Sequence, residues 1–120
     1  MEKHYNKVSI ENTEHYTWGD NCDGWFFLSS DTLSVIRETM PPHTQERLHY
    51  HQNAQQFFYI ISGKAVFEVA GEIIQVNAGE GIHIQKGTHH RIRNDSGGDL
   101  HFIVISEPKS HGDRVNIESQ

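Results

Sequence analysis

The chain has 120 residues, a formal net charge of −6 and a single cysteine, Cys22. One domain fits that length, and it buries roughly two thirds of the surface its unfolded chain exposes. The acidic balance, the lone cysteine and the lack of any run of 18 apolar residues argue against nucleic-acid binding, an intrachain disulfide and a membrane span, so a protein of the cytoplasm is expected.

Residues 1–24 are polar and without a sustained period, and read as an extended arm ending in the turn GDNCDG. From Trp25 onward, short apolar runs alternate with turn residues: WFFLSS, LSVIRETM and, after Pro41-Pro42, RLHYH, FFYIISG, KAVFEVAG, EIIQVNAG, GIHIQKG, HRIRND and LHFIVIS. Each run is rich in Val, Ile, Phe and Tyr and bounded by Gly, Pro, Asn, Asp or Ser, which predicts strands joined by tight turns. No segment keeps an apolar period of three to four residues over ten or more positions, so little helix is expected. The predicted fold is all-β, a sandwich, jelly roll or small barrel over residues 25–106, with residues 107–120 as a polar tail.

Within RLHYH, His49 and His51 are two apart, and in a strand such residues point to one face. Two neighbouring imidazoles suit a shared cation better than they suit each other, because protonating both creates like-charge repulsion. Gln56 opens the next run after the turn QNAQ, and a hairpin there returns it beside the pair. His90 heads the strand that follows Gly87 and is a fourth candidate ligand. His49 and His51 also fit an ordinary solvent-facing strand, and His90 a loop beside His89.

These spacings resemble the cupin family. Its first motif has two histidines one residue apart, then a carboxylate and a glycine; here His49, His51, Gln56 and Gly63 stand in those places. Its second runs from glycine through proline-x-glycine to histidine and asparagine, matched by Gly79, Gln85, Gly87, His90 and Asn94. The resemblance implies a double-stranded β-helix (jelly-roll) barrel holding one divalent transition metal, zinc, nickel, iron, manganese or copper, on His49, His51, Gln56 and His90. It also implies a small-molecule ligand and a homodimer. The departure that matters is Gln56 for glutamate: a neutral amide leaves a divalent centre at +2, so the metal is held less tightly but is more Lewis-acidic.

For substrate binding, Arg47 shares parity with the histidines and is either an anion clamp in the cavity or a solvated residue before the strand. Phe58 and Ile60 share the parity of Gln56 and form an apolar wall or simply a core. His101 alternates with apolar residues and can face the pocket or solvent. No Asp or Glu is assigned as a general base. His4, His15, His43 and His111 read as bystanders. The function expected from the resemblance is an enzyme on a small oxygen-rich metabolite, of the sugar or sugar-acid isomerase or lyase type. A metal-dependent dioxygenase and a non-catalytic sensor are the alternatives.

Overall fold

Side-chain burial alternates along most of the chain, and that alternation builds the architecture. The computed structural model describes residues 4–110 and 112–117, and among these there is no helix. The strands are β1 (His15–Trp18), β2 (Cys22–Ser29), β3 (Ser34–Met40), β4 (Thr44–Gln45), β5 (His49–His51) and β6 (Gln55–Ser62). They continue as β7 (Lys64–Val69), β8 (Glu72–Asn77), β9 (Gly81–Ile84), β10 (His90–Asn94), β11 (Leu100–Glu107) and β12 (Arg114–Asn116). Two antiparallel sheets face each other, ordered β1-β2-β3-β11-β6-β9 and β12-β5-β10-β7-β8, with β4 added beside β10. The strand runs predict an all-β fold, and the cupin resemblance implies the jelly roll that is found.

The core lies between the sheets. In β6, Gln56, Phe58 and Ile60 point inward while Phe57, Tyr59 and Ile61 face out. Phe58 packs edge-on against Phe67 at 5.0 Å and in a tilted arrangement against Phe102 at 5.8 Å. Each such buried ring contributes about 1.5–3 kcal/mol. Asn94, fully buried at the end of β10, donates to the carbonyls of Met40 and Gly98 at 2.9 and 2.8 Å and accepts from Ser96. It thereby ties the end of one sheet to the other.

Strands also form outside residues 25–106. The arm supplies β1 and the start of β2, with Tyr16 and Trp18 packed against the core and Cys22 fully buried within it. The tail supplies β12, which pairs with β5 through Arg114–His51, Val115–Tyr50 and Asn116–His49. Both strands are too short and too polar for alternation to reveal them. Their order comes from pairing with strands distant in sequence. His111 lies outside the described residues.

Candidate metal centre and its cavity

His49 and His51 project inward from β5, and His90, at the head of β10, is directly paired with His49. All three are buried, and their ligand atoms lie within 4.8 Å of one another. The turn before β10 is held by Gly87, whose φ of +78° favours glycine and whose N–H donates to the carbonyl of His51 at 2.8 Å. That bond joins the two motifs directly.

Backbone carbonyls orient two of the rings. His49 Nδ1 lies 2.7 Å from the carbonyl of Arg47, and His90 Nδ1 lies 2.8 Å from that of Thr88. Each arrangement leaves Nε2 free to act as a ligand. Burial keeps both rings neutral: it pushes His49 down to about 3 and lowers His90.

Gln56 lies beside His90. Its amide nitrogen donates to Ser106 Oγ at 3.0 Å, which turns Oε1 toward His90 Nε2, also at 3.0 Å. A neutral imidazole has one N–H, yet carbonyl oxygens flank both nitrogens of His90. With the Gln56 amide in this orientation one lone pair faces another in either tautomer, a repulsion removed by a shared cation or by turning the amide over. Neutral imidazoles and an amide oxygen are suitable donors for a divalent transition metal.

His49, His51 and Gln56 line a cavity of about 270 Å³. Tyr16 and Glu38, from β1 and β3 of the facing sheet, also line it, as do Glu46 and Arg114, which sit beside β10 and β5 in the histidines' own sheet. Tyr16 donates its hydroxyl to Glu38 Oε2 at 2.9 Å. Gly24 makes room for this, since a Cβ there would sit 2.3 Å from the Tyr16 ring. Burial, and then the neighbouring Glu46, push Glu38 up to about 8. Glu46, with a side chain 12% exposed, accepts from the N–H of Ile92 at 3.1 Å and faces Arg114 at 3.8 Å. Burial raises it to about 7 against the pull of Arg114. Burial and Glu38 together raise the Tyr16 hydroxyl.

The expected substrate residues divide. Phe58 lines the cavity with Trp18, Ile36 and Val104. Ile60 does not; it is fully buried one inward position deeper in the core. Arg47 precedes β5, which begins at His49, and it is exposed and not among the residues that line the cavity. The cation in the cavity is Arg114. His101 pairs with Thr39 on the outer face of β11, and its Nδ1 lies 3.1 Å from Thr39 Oγ1. His89 is exposed and stacks on Tyr50 at 5.0 Å, and exposed His83 bonds Gln55 at 2.8 Å.

A signal for Glu38 was present. Ser34, Ile36, Glu38 and Met40 share one face of β3, so the glutamate interrupts an otherwise inward face. Arg114 carries no such local signal.

A family model described as Cupin domain matches residues 36–106. An oxalate-binding protein of Thermotoga maritima is 30% identical over 69 residues, covering 58% of this chain and 57% of that protein. Among solved structures, the polyketide cyclase RemF from Streptomyces resistomycificus aligns with a TM-score of 0.81 at 15% identity, over 97% of this chain and 87% of that one. A sugar phosphate isomerase from Silicibacter pomeroyi aligns with a TM-score of 0.76 at 16% identity, over 87% of this chain and 76% of that one. No helix among the described residues is long and apolar enough to cross a membrane.

Proposed function

This chain belongs to the cupin family, and on that premise we propose that it is a metal-dependent enzyme of the isomerase or lyase type acting on a small oxygen-rich metabolite. The observation that carries the reading is one cavity holding both halves of such chemistry. His49, His51 and Gln56 line one side, and the Tyr16–Glu38 pair lines the other. A divalent transition metal on His49, His51, His90 and Gln56 would polarise a carbonyl or hydroxyl oxygen.

Glu38 is the proton-transfer group. A carboxyl held at about 8 takes up and returns a proton near neutral pH. Tyr16 fixes its orientation through Oε2, and the spare oxygen, Oε1, meets the substrate. Glu46 and Arg114 bind polar groups at the mouth, while Trp18, Phe58, Ile36 and Val104 exclude water. Likeness to a sugar phosphate isomerase and to a polyketide cyclase supports proton-transfer chemistry on oxygenated carbon skeletons.

The test has two stages. Metal content near one equivalent in the purified protein, lost in His49→Ala, supports the centre. Hydroxycarbonyl compounds are then screened for solvent-deuterium exchange at carbon, in wild type and in Glu38→Gln. Exchange that falls about a hundredfold or more in Glu38→Gln, at unchanged metal content, supports the reading. A metal-free wild type that takes none on titration overturns it. Likeness to an oxalate-binding protein favours a second reading, a non-catalytic binding cupin. Metal-dependent ligand binding that Glu38→Gln leaves intact, with no exchange, would favour it.

A further inference from the structure

The turn between His51 and Gln56 spans Gln52, Asn53 and Ala54, and its amides converge on one carboxylate. Asp113 accepts from the N–H of Gln52 at 2.9 Å, from that of Asn53 at 3.0 Å, and from that of Ala54 at 2.8 Å. The Asn53 side-chain amide adds a longer bond at 3.3 Å. A carboxylate gathering several backbone amides forms strong, charge-assisted bonds in a fixed geometry. This turn sets the position of Gln56 relative to His51, because the two sit on the strands that it joins.

The same segment touches the other donors of the first motif. Arg114 is the register partner of His51. Its Nη2 donates at 3.3 Å to the carbonyl of Arg47, the same oxygen that holds His49 Nδ1 at 2.7 Å. The Ile117 N–H donates to the carbonyl of Leu48 at 2.8 Å, just before His49. The family match ends at residue 106, so none of these contacts lies within the matched segment.

We infer that β12 and the residue before it form a clamp on the metal-binding motif, with Asp113 as a positioning residue that sets His51 and Gln56 through the turn 52–54. The inference rests on the metal reading above. A strand that merely covered the edge of β5 would affect stability alone, whereas a clamp also sets donor geometry.

Full-length wild type, Asp113→Ala, Asp113→Asn and Val76→Ala are titrated with Co²⁺ and followed by visible absorption. Amide hydrogen exchange is measured on the metal-free proteins. Val76 is buried on β8, at the far end of the sheet from β12, and its truncation controls for loss of stability. Asp113→Ala is expected to weaken cobalt binding about 10–100-fold and to alter the cobalt absorption bands. Asp113→Asn, which keeps one acceptor oxygen, loses less. In Asp113→Ala the amides of residues 52–54 exchange faster, and Val76→Ala leaves cobalt affinity and spectrum unchanged. Wild-type cobalt binding and spectrum in Asp113→Ala, or wild-type exchange at residues 52–54, overturns the clamp. So does an equal loss of cobalt affinity in Val76→Ala. If wild type itself takes no cobalt, the metal reading fails and the clamp with it, whereas failure of the clamp alone shows as wild-type cobalt binding in Asp113→Ala.

Discussion

Replacing Gln56 by glutamate tests the charge of the centre. In the native cavity the amide is 6% exposed, donates to Ser106 Oγ at 3.0 Å and presents its oxygen 3.0 Å from His90 Nε2. A glutamate fits the same volume, accepts from the Ser106 hydroxyl and directs a charged oxygen toward His90. A unit negative charge attracts a divalent ion by about 5–10 kcal/mol gross at 3–6 Å and an effective dielectric near 20. Burying that charge costs several kcal/mol of solvation. The difference, about 1–3 kcal/mol, predicts that Gln56→Glu binds zinc or cobalt roughly ten- to a hundredfold more tightly. Competition with a chelator at pH 7 measures it. In the metal-free variant the carboxylate faces neutral imidazoles, so its melting temperature falls below that of wild type, and metal more than restores it. Unchanged metal affinity would refute the reasoning: the contact with His90 would then be an ordinary hydrogen bond, and the centre would rest on three histidines.

Three further outcomes follow from the same geometry. In metal-free protein Glu38 and Glu46, raised from 4.5 to about 8 and about 7, contribute stability present below pH 4.5 and lost as pH rises through those values. His49, lowered from 6.5 to about 3, and His90, lowered likewise, contribute stability present above pH 6.5 and lost as pH falls. The opposing trends offset each other between pH 4.5 and 6.5, so thermal melts show a plateau there and decline on both sides; a maximum above pH 8 contradicts these shifts. Gly24→Ala places a Cβ 2.3 Å from the Tyr16 ring and forces it off Glu38, at a cost of about 1–3 kcal/mol in denaturant melts; a wild-type midpoint shows that the ring gives way freely. Leu28, Phe57, Tyr59 and Ile61 lie at least 37% exposed on the first sheet, so a homodimer through this face is expected by light scattering and is broken by Tyr59→Glu; a monomeric wild type refutes it.

What the sequence discloses depends on how local each signal is. Strands β6, β7, β10 and β11 carry their burial alternation within five to eight residues, so their inward faces, with Gln56, Phe58 and His90 among them, are readable without neighbours. Parity says least where a strand is short. Extending β5 by two residues places Arg47 in the cavity, yet the ladder begins only where β12 and β10 supply partners to His49. His101 is a different case. Its strand alternates cleanly, but both faces of β11 carry apolar side chains, so alternation alone does not say which face is the core. Glu38 is the reverse case: its strand parity was readable, but a glutamate among Ile36 and Met40 stands out only once that face is known to line a cavity. Asp113 and Arg114 had no local signal at all. Asp113 acts on a turn about 60 residues earlier in the chain, and Arg114 on the strand beside it. A motif therefore marks which donors converge, while the groups that hold them in place, and those that face them, come from chain segments that no motif spans.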